Sequence, residues 1–514
     1  MKTLYYNGYI ITMNGGKVVG GMLVGENGKI EVAGDFSNVD AIPDSAVKKV
    51  DLKGCVVMPS FIDSHSHITA VARTMSLADL NGARSDDDIY SLLTAFKTER
   101  GVRDGEWLVG YNYDHNVMKG RRHPDGSVLD GIENPVLITH KSGHMGVLNK
   151  KARDILGIES DSDGYLEEAK FIDAANRTPK PSIDVMRASL KEAEKIYLSC
   201  GYTVASDGLS GEEEIELLSS SPLDVDVVSI IDYKKKDAIL SKYSEYFGKY
   251  VGNLKIGGYK IILDGSPQAK TAWLSKPYSG EDSFRGTPYY TDERVEEIMK
   301  DAINDGVQLY AHANGDMASE QLIRAYYHVL TGEKLEAKYR PVMIHAQTLR
   351  DDQIRRMATL DMIPSFFASH IYHFGDIHRV NLGVMRANKI SPIRTSIDYG
   401  LNFTLHNDSP VVPPSVMELI SSAVNRITKN GAHIGTFEKV EAYEAFEGTT
   451  INAAYQYFEE KERGSIEEGK AADFIIIDKN PYEIDKEDIS SIKVLATFKS
   501  GRLLYRNDLF DVNI

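Results

Sequence analysis

Cysteine is nearly missing from this chain: Cys55 and Cys200 are the only two in 514 residues. That scarcity leaves a disulfide framework unsupported and makes reduced thiols in a cytoplasmic protein the expectation. Long apolar runs are missing too, and none approaches the roughly 18 residues of a membrane-spanning helix. The opening Met1-Lys2-Thr3-Leu4-Tyr5-Tyr6-Asn7-Gly8 has no apolar signal core and reads as a strand and turn. Basic charge is in deficit, with 59 Lys and Arg against 75 Asp and Glu and a formal net charge of -16. An acidic surface repels phosphate backbones and anionic membranes, so neither nucleic acid nor membrane is an expected partner. No internal repeat or heptad run stands out. A soluble chain acting on a small molecule, as a monomer or homodimer, is what remains.

Hydrophobic residues at 42% and charged residues at 26% are ordinary for a globular protein, so the fold has to be read from pattern. The middle of the chain alternates apolar strand-like runs with amphipathic stretches. Strands are expected at 61–67, 202–207, 225–231, 257–263, 307–312, 341–345, 362–367 and 402–406. Stretches such as Ser182–Tyr197, Asp292–Asp305 and Met317–Leu330 have helical spacing. Eight βα alternations predict an α/β protein of the (β/α)8 TIM-barrel type. Both ends are β-rich, and residues 1–58 and 463–514 are expected to pair into one small β-sandwich domain around a barrel of residues 59–462. The gap from about 70 to 195 is too long for one crossover and predicts an inserted subdomain after the first barrel strand.

In such barrels the chemistry sits at the C-terminal ends of the strands. The first strand candidate ends in His65-Ser66-His67, and i and i+2 on a strand share a face. Two converging imidazoles suit a zinc-like divalent metal. His312 and His345 end the fifth and sixth candidates, Asp408 closes the eighth, and Lys260 lies inside the apolar run of the fourth. Any one of these has an ordinary reading: a satisfied histidine, a surface lysine, or an aspartate capping a helix after Pro410. Together, four histidines and an acid on four strand ends point to a metal site.

On these residues the chain resembles the amidohydrolase superfamily, within amidohydrolase family 3, the YtcJ-like group that includes N-substituted formamide deformylase. Carrying the resemblance are His65-Ser66-His67, Gly201-Tyr202-Thr203, Lys260 with Asp264-Gly265-Ser266, and His312 with Gly315-Asp316. His345, Asp408-Ser409-Pro410, Gly143-His144 with Asn149, and the segment Gly464 to Asp473 complete it. The resemblance implies a hydrolase of carbon–nitrogen bonds other than peptide bonds, with one or two zinc-like ions on His65, His67, His312, His345 and Asp408. Lys260 could bridge two ions only once carboxylated, because an ammonium has no lone pair to offer. A metal lowers the pKa of bound water to about 7, and Asp408 is the expected proton acceptor or a ligand alone. His144 is an expected donor to the substrate carbonyl or a packing residue of the insertion. Glu167, Asp264, His370 and His373 are expected around the substrate, the two histidines in a loop with His378. Asp316 is expected to orient His312. An N-acyl or N-formyl amide is the leading substrate; a mononuclear deaminase or a cyclic-amide hydrolase on the same scaffold is the alternative.

Overall fold

A computed structural model of the chain describes residues 1–36, 39, 43, 47–159 and 163–513. Eight parallel strands lie side by side in chain order: Phe61–Ile62, Tyr202–Ser210, Asp226–Asp232, Leu254–Ile262, Gln308–Ala313, Val342–His345, Ile363–Phe366 and Thr404–Leu405. Parallel strands need crossovers, and helices such as Asp292–Asn304, Asp316–Glu333 and Asp351–Thr359 supply them. The strands are buried on both faces, which explains why they read as apolar runs rather than alternating ones. Between the first and last strands, Ile62 N–H donates to Thr449 O and Leu405 N–H to Gly448 O, while Ser64 Oγ donates to Leu405 O at 2.9 Å. Val204, Val228, Ile230, Tyr310, Val342 and Ile344 fill the centre of this sheet.

The expected first strand is much shorter than 61–67. The ladder stops at Ile62, and His65 and His67 stand beyond it. Only Thr404–Leu405 pairs in the expected 402–406 strand. The residues expected as a loop from 369 to 376 instead form the helix His370–Leu382.

The two chain ends interleave. A six-stranded sheet runs Arg502–Arg506, Val494–Lys499, Phe474–Ile477, Val56–Pro59, Tyr9–Ile11, Val18–Val19. A four-stranded sheet orders Ile30–Gly34, Gly21–Val24, Lys2–Tyr6 and Val47–Asp51. One apolar core serves both sheets, with Phe474 stacked on Phe498 at 4.3 Å and Tyr5 edge-on to Phe474 at 5.1 Å. Each aromatic pair adds about 0.5–1.5 kcal/mol beyond its burial. These sheets and the eight-stranded sheet form one compact unit, Met1–Thr69 with Glu194–Ile514.

Residues Ala70–Ala193 form a second compact unit. Its sheet orders Tyr165–Glu167, Met145–Leu148, Val136–His140, Leu108–Tyr113 and Ala78–Asp79 around a core that includes Leu80, Leu93, Leu108 and Ile138. Among the described residues, no helix is long and apolar enough to cross a membrane.

Candidate metal centre

The strand ends bring six predicted side chains together. Asp408 Oδ1 lies 3.3 Å from His65 Nε2 and 3.2 Å from His67 Nε2. Lys260 Nζ lies 3.4 Å from His65 Nε2, and His345 Nε2 lies 3.0 Å from His312 Nδ1. His65, His345 and Lys260 are buried, while His67 keeps 28% of its side chain exposed, which leaves one side of the cluster open. His345 (φ 75°) and Asp408 (φ 55°) both hold left-handed backbone conformations that a non-glycine residue adopts at a cost of about 1–3 kcal/mol.

Each imidazole is aimed by its second nitrogen. His67 Nδ1–H donates to Gly208 O at 2.6 Å, which leaves Nε2 facing Asp408. His312 Nε2–H donates to Gly265 O at 3.0 Å, which leaves Nδ1 facing His345. Behind His345, its Nδ1 meets His406 Nε2 at 3.1 Å, and His406 Nδ1 meets Ser365 Oγ at 2.8 Å. With His345 donating into His406, two lone pairs face each other across the His312–His345 contact, as a bound cation requires.

Burial acts on the charges in one direction. It holds His65 and His345 well below the ordinary imidazole range, His312 at about 4 and His406 at about 3, so all four rings are neutral. Burial also pushes Lys260 down to about 7, against the opposing pull of Asp408. Burial alone would raise the Asp408 carboxyl, but the imidazoles of His65, His67 and His345 outweigh it and hold it well below the carboxylate range. Asp408 Oδ1 is nevertheless buried with no hydrogen-bond donor. Four donors bound at 2.0–2.1 Å in a tetrahedron are about 3.3 Å apart, close to the separations seen here. The donor set fits a divalent ion.

Other predicted residues are placed differently. Asp316, expected behind His312, accepts instead from Ser275 N–H and Arg350, both at 2.9 Å. The carboxylate beside His312 is Asp264, 3.8 Å from Nε2. Asp264, expected around the substrate, is fully buried and accepts from the backbone N–H groups of Trp273, Asn314 and Gly315. Burial raises it to about 7. Its place is to tie the fourth strand's end to the fifth's. His370 packs on Phe367 at 4.3 Å with Nδ1 3.1 Å from His378, and His373 pairs with Glu418 at 2.7 Å. His144 and Glu167 belong to the Ala70–Ala193 unit. There His144 is exposed, 3.4 Å from the Glu168 carboxylate, and Glu167 accepts from the Tyr165 hydroxyl at 2.9 Å.

His406 and Gly208 were not singled out from sequence. The signal for His406 was available: it precedes Asp408 by two, as His65 precedes His67. Gly208 had no local signal. Its need is tertiary, because a Cβ there would come within 2.6 Å of the His65 ring.

The profile of the amidohydrolase family matches residues 48–505, and the chain belongs to that family. It is 26% identical to YtcJ of Bacillus subtilis, over 98% of this chain and 99% of that one. It is 24% identical to N-substituted formamide deformylase of Arthrobacter pascens, over 93% of each. A solved metal-dependent hydrolase of Pyrococcus horikoshii superposes with a TM-score of 0.80 at 26% identity, covering 95% of this chain and 99% of that one. The protein is a metal-dependent amidohydrolase, a hydrolase of carbon–nitrogen bonds other than peptide bonds.

Proposed function

We propose that this chain is a zinc-dependent amidohydrolase that opens an N-acyl or N-formyl amide. The observation that carries it is the convergence of a low-pKa carboxylate, the imidazoles of four histidines and a buried lysine at the ends of five parallel strands. His65, His67 and Asp408 would hold one ion, with His312 and His345 completing it or holding a second. Bound there, the metal would supply a polarised carbonyl and water acidic enough to ionise near neutrality. Asp408 accepts the proton of the attacking water and returns it to the departing nitrogen, because a neutral amine leaves far more readily than an amide anion. Gly208 O and Gly265 O hold the ring tautomers that keep ligand lone pairs inward. Lys260, with its pKa pushed down to about 7, would offer a partly deprotonated amine that could take up carbon dioxide as a carbamate, the form in which it could serve as a ligand. Every proposed ligand comes from one chain, so a homodimer would not be needed to complete the site. The unpaired cysteines Cys55 and Cys200 suit a cytoplasmic setting. In this reading residues 1–58 and 463–514 together build the two terminal sheets as one β-sandwich domain beside the barrel.

The test is metal content per chain on protein purified without added metal, paired with a Lys260→Ala variant and a panel of N-formyl and N-acyl amides. Two ions falling to one or none, with turnover of the panel, support the carbamate-bridged amidohydrolase. One ion unchanged in the variant removes the bridge, and turnover of ring amidines instead of the panel would move the reading to a deaminase. No metal under any condition overturns it.

A further inference from the structure

We infer a second divalent-cation site on the Ala70–Ala193 unit, held by Asp114, His115 and His140. The strands Leu108–Tyr113 and Val136–His140 are parallel neighbours, and Tyr113 pairs in register with His140. The two residues after Tyr113 therefore arrive beside the last residue of the next strand, the same strand-end logic that builds the first centre. His115 Nδ1 lies 3.0 Å from His140 Nε2, and Asp114 Oδ1 lies 3.8 Å from the same nitrogen. All three ligand atoms fall within 4.8 Å of one another. Separations of 3.0 and 3.8 Å straddle the edge of about 3.3 Å expected for N and O ligands around a tetrahedral zinc-like ion.

The surroundings orient this trio. Lys141 binds Asp114 Oδ2, and Asn116 donates to Oδ1 through its backbone N–H and its side chain, both at 3.0 Å, which fixes the carboxylate at the strand end. His140 Nδ1 lies 2.9 Å from Ser142 Oγ, so a ring donating Nδ1–H to that hydroxyl offers its Nε2 lone pair to the ion. His123 stacks on His115 at 4.3 Å and is held by the Tyr113 hydroxyl at 3.0 Å, walling one side. The competing occupant of the His115–His140 contact is a proton. In that state His140 donates Nε2–H to His115, and its Nδ1 accepts from Ser142 N–H at 3.1 Å. The ligand class is a borderline-soft divalent ion such as Zn2+ or Co2+, because two imidazoles and one carboxylate favour it over Mg2+ or Ca2+.

The decisive experiment uses the full, tag-free chain equilibrated with Zn2+. Zinc-edge anomalous diffraction is expected to show a peak between His115 Nδ1 and His140 Nε2, separate from density among His65, His67 and Asp408. His140→Gln and Asp114→Asn, measured independently, are each expected to lower bound zinc by one equivalent per chain in equilibrium dialysis. Wild-type crystals with no peak at His115 and His140 overturn the inference, whether or not either variant folds. Unchanged stoichiometry in a folded variant also overturns it. Because the peaks are separate, failure here leaves the first centre standing, and an empty first centre leaves this one standing.

Discussion

His406 supports the proposed ligands from behind. It has no exposed surface, and it joins His345 to Ser365, so its loss frees the ring that should point a lone pair inward. His406→Gln is expected to weaken zinc binding about 10–100-fold, read by competition with a chelator, because supporting partners of metal-bound histidines are worth that much. Asp408→Asn keeps the shape and removes the proposed proton acceptor. kcat is expected to fall about 10²–10⁴-fold with KM little changed, measured on whichever amide of the panel is turned over. Gly208 makes the complementary point. Gly208→Ala puts a methyl against both histidines of the first motif and is expected to lower bound metal, checked by metal analysis on folded protein.

At the scale of elements, the helices Asp316–Glu333 and Asp351–Thr359 are clasped by charge. Glu320 accepts from Arg356 at 2.9 Å and lies 3.3 Å from Arg350. Burial would raise its carboxyl, but hydrogen bonds from Arg356 and Gln353 outweigh it and the pKa is lowered. A depressed acid contributes stability that is fully present above its unfolded value of about 4.3 and is lost as pH falls through the folded one. Glu320→Gln is therefore expected to cost about 1 kcal/mol at pH 7 and less at pH 3, by urea unfolding at both. Elements were also where the sequence reading slipped. His65 and His67 were expected to converge because a strand alternates; instead the strand stops at Ile62, and Gly208 and Asp408, from two other strand ends, bring the rings together. The segment from His370 is expected as a loop after the seventh strand, yet Ile371, Gly375 and His378 are buried along one side of a helix. Its spacing was helical all along.

Across the whole Met1–Thr69 and Glu194–Ile514 unit, the terminal sheets and the eight-stranded sheet share a buried charge network. Arg463 lies 2.8 Å from Asp226 and 3.2 Å from Glu459; Lys499 meets Asp226 at 2.6 Å, and Lys255 pairs with Glu459. Residues from the third and fourth strands, from the stretch between the helix Ile451–Gln456 and the strand Phe474–Ile477, and from the C-terminal sheet thus neutralise one another. Removing one charge strands its partners in a poorly solvated place. Arg463→Met is expected to lower stability by about 3–5 kcal/mol in denaturant unfolding while leaving bound metal unchanged, since none of these groups touches the ligands.

The sequence by itself determined the α/β class, the run of strand candidates and the ligand types at their ends, because apolar runs and side-chain chemistry are local properties. It also showed that both termini are β-rich. Only the tertiary structure decided that Asp264 rather than Asp316 stands beside His312, that His406 stands behind His345, and that burial brings Lys260 down to about 7. Those depend on which groups crowd one point from positions scores or hundreds of residues apart. Burial, hydrogen-bond direction and pKa are set by that crowding, and no window of sequence contains it.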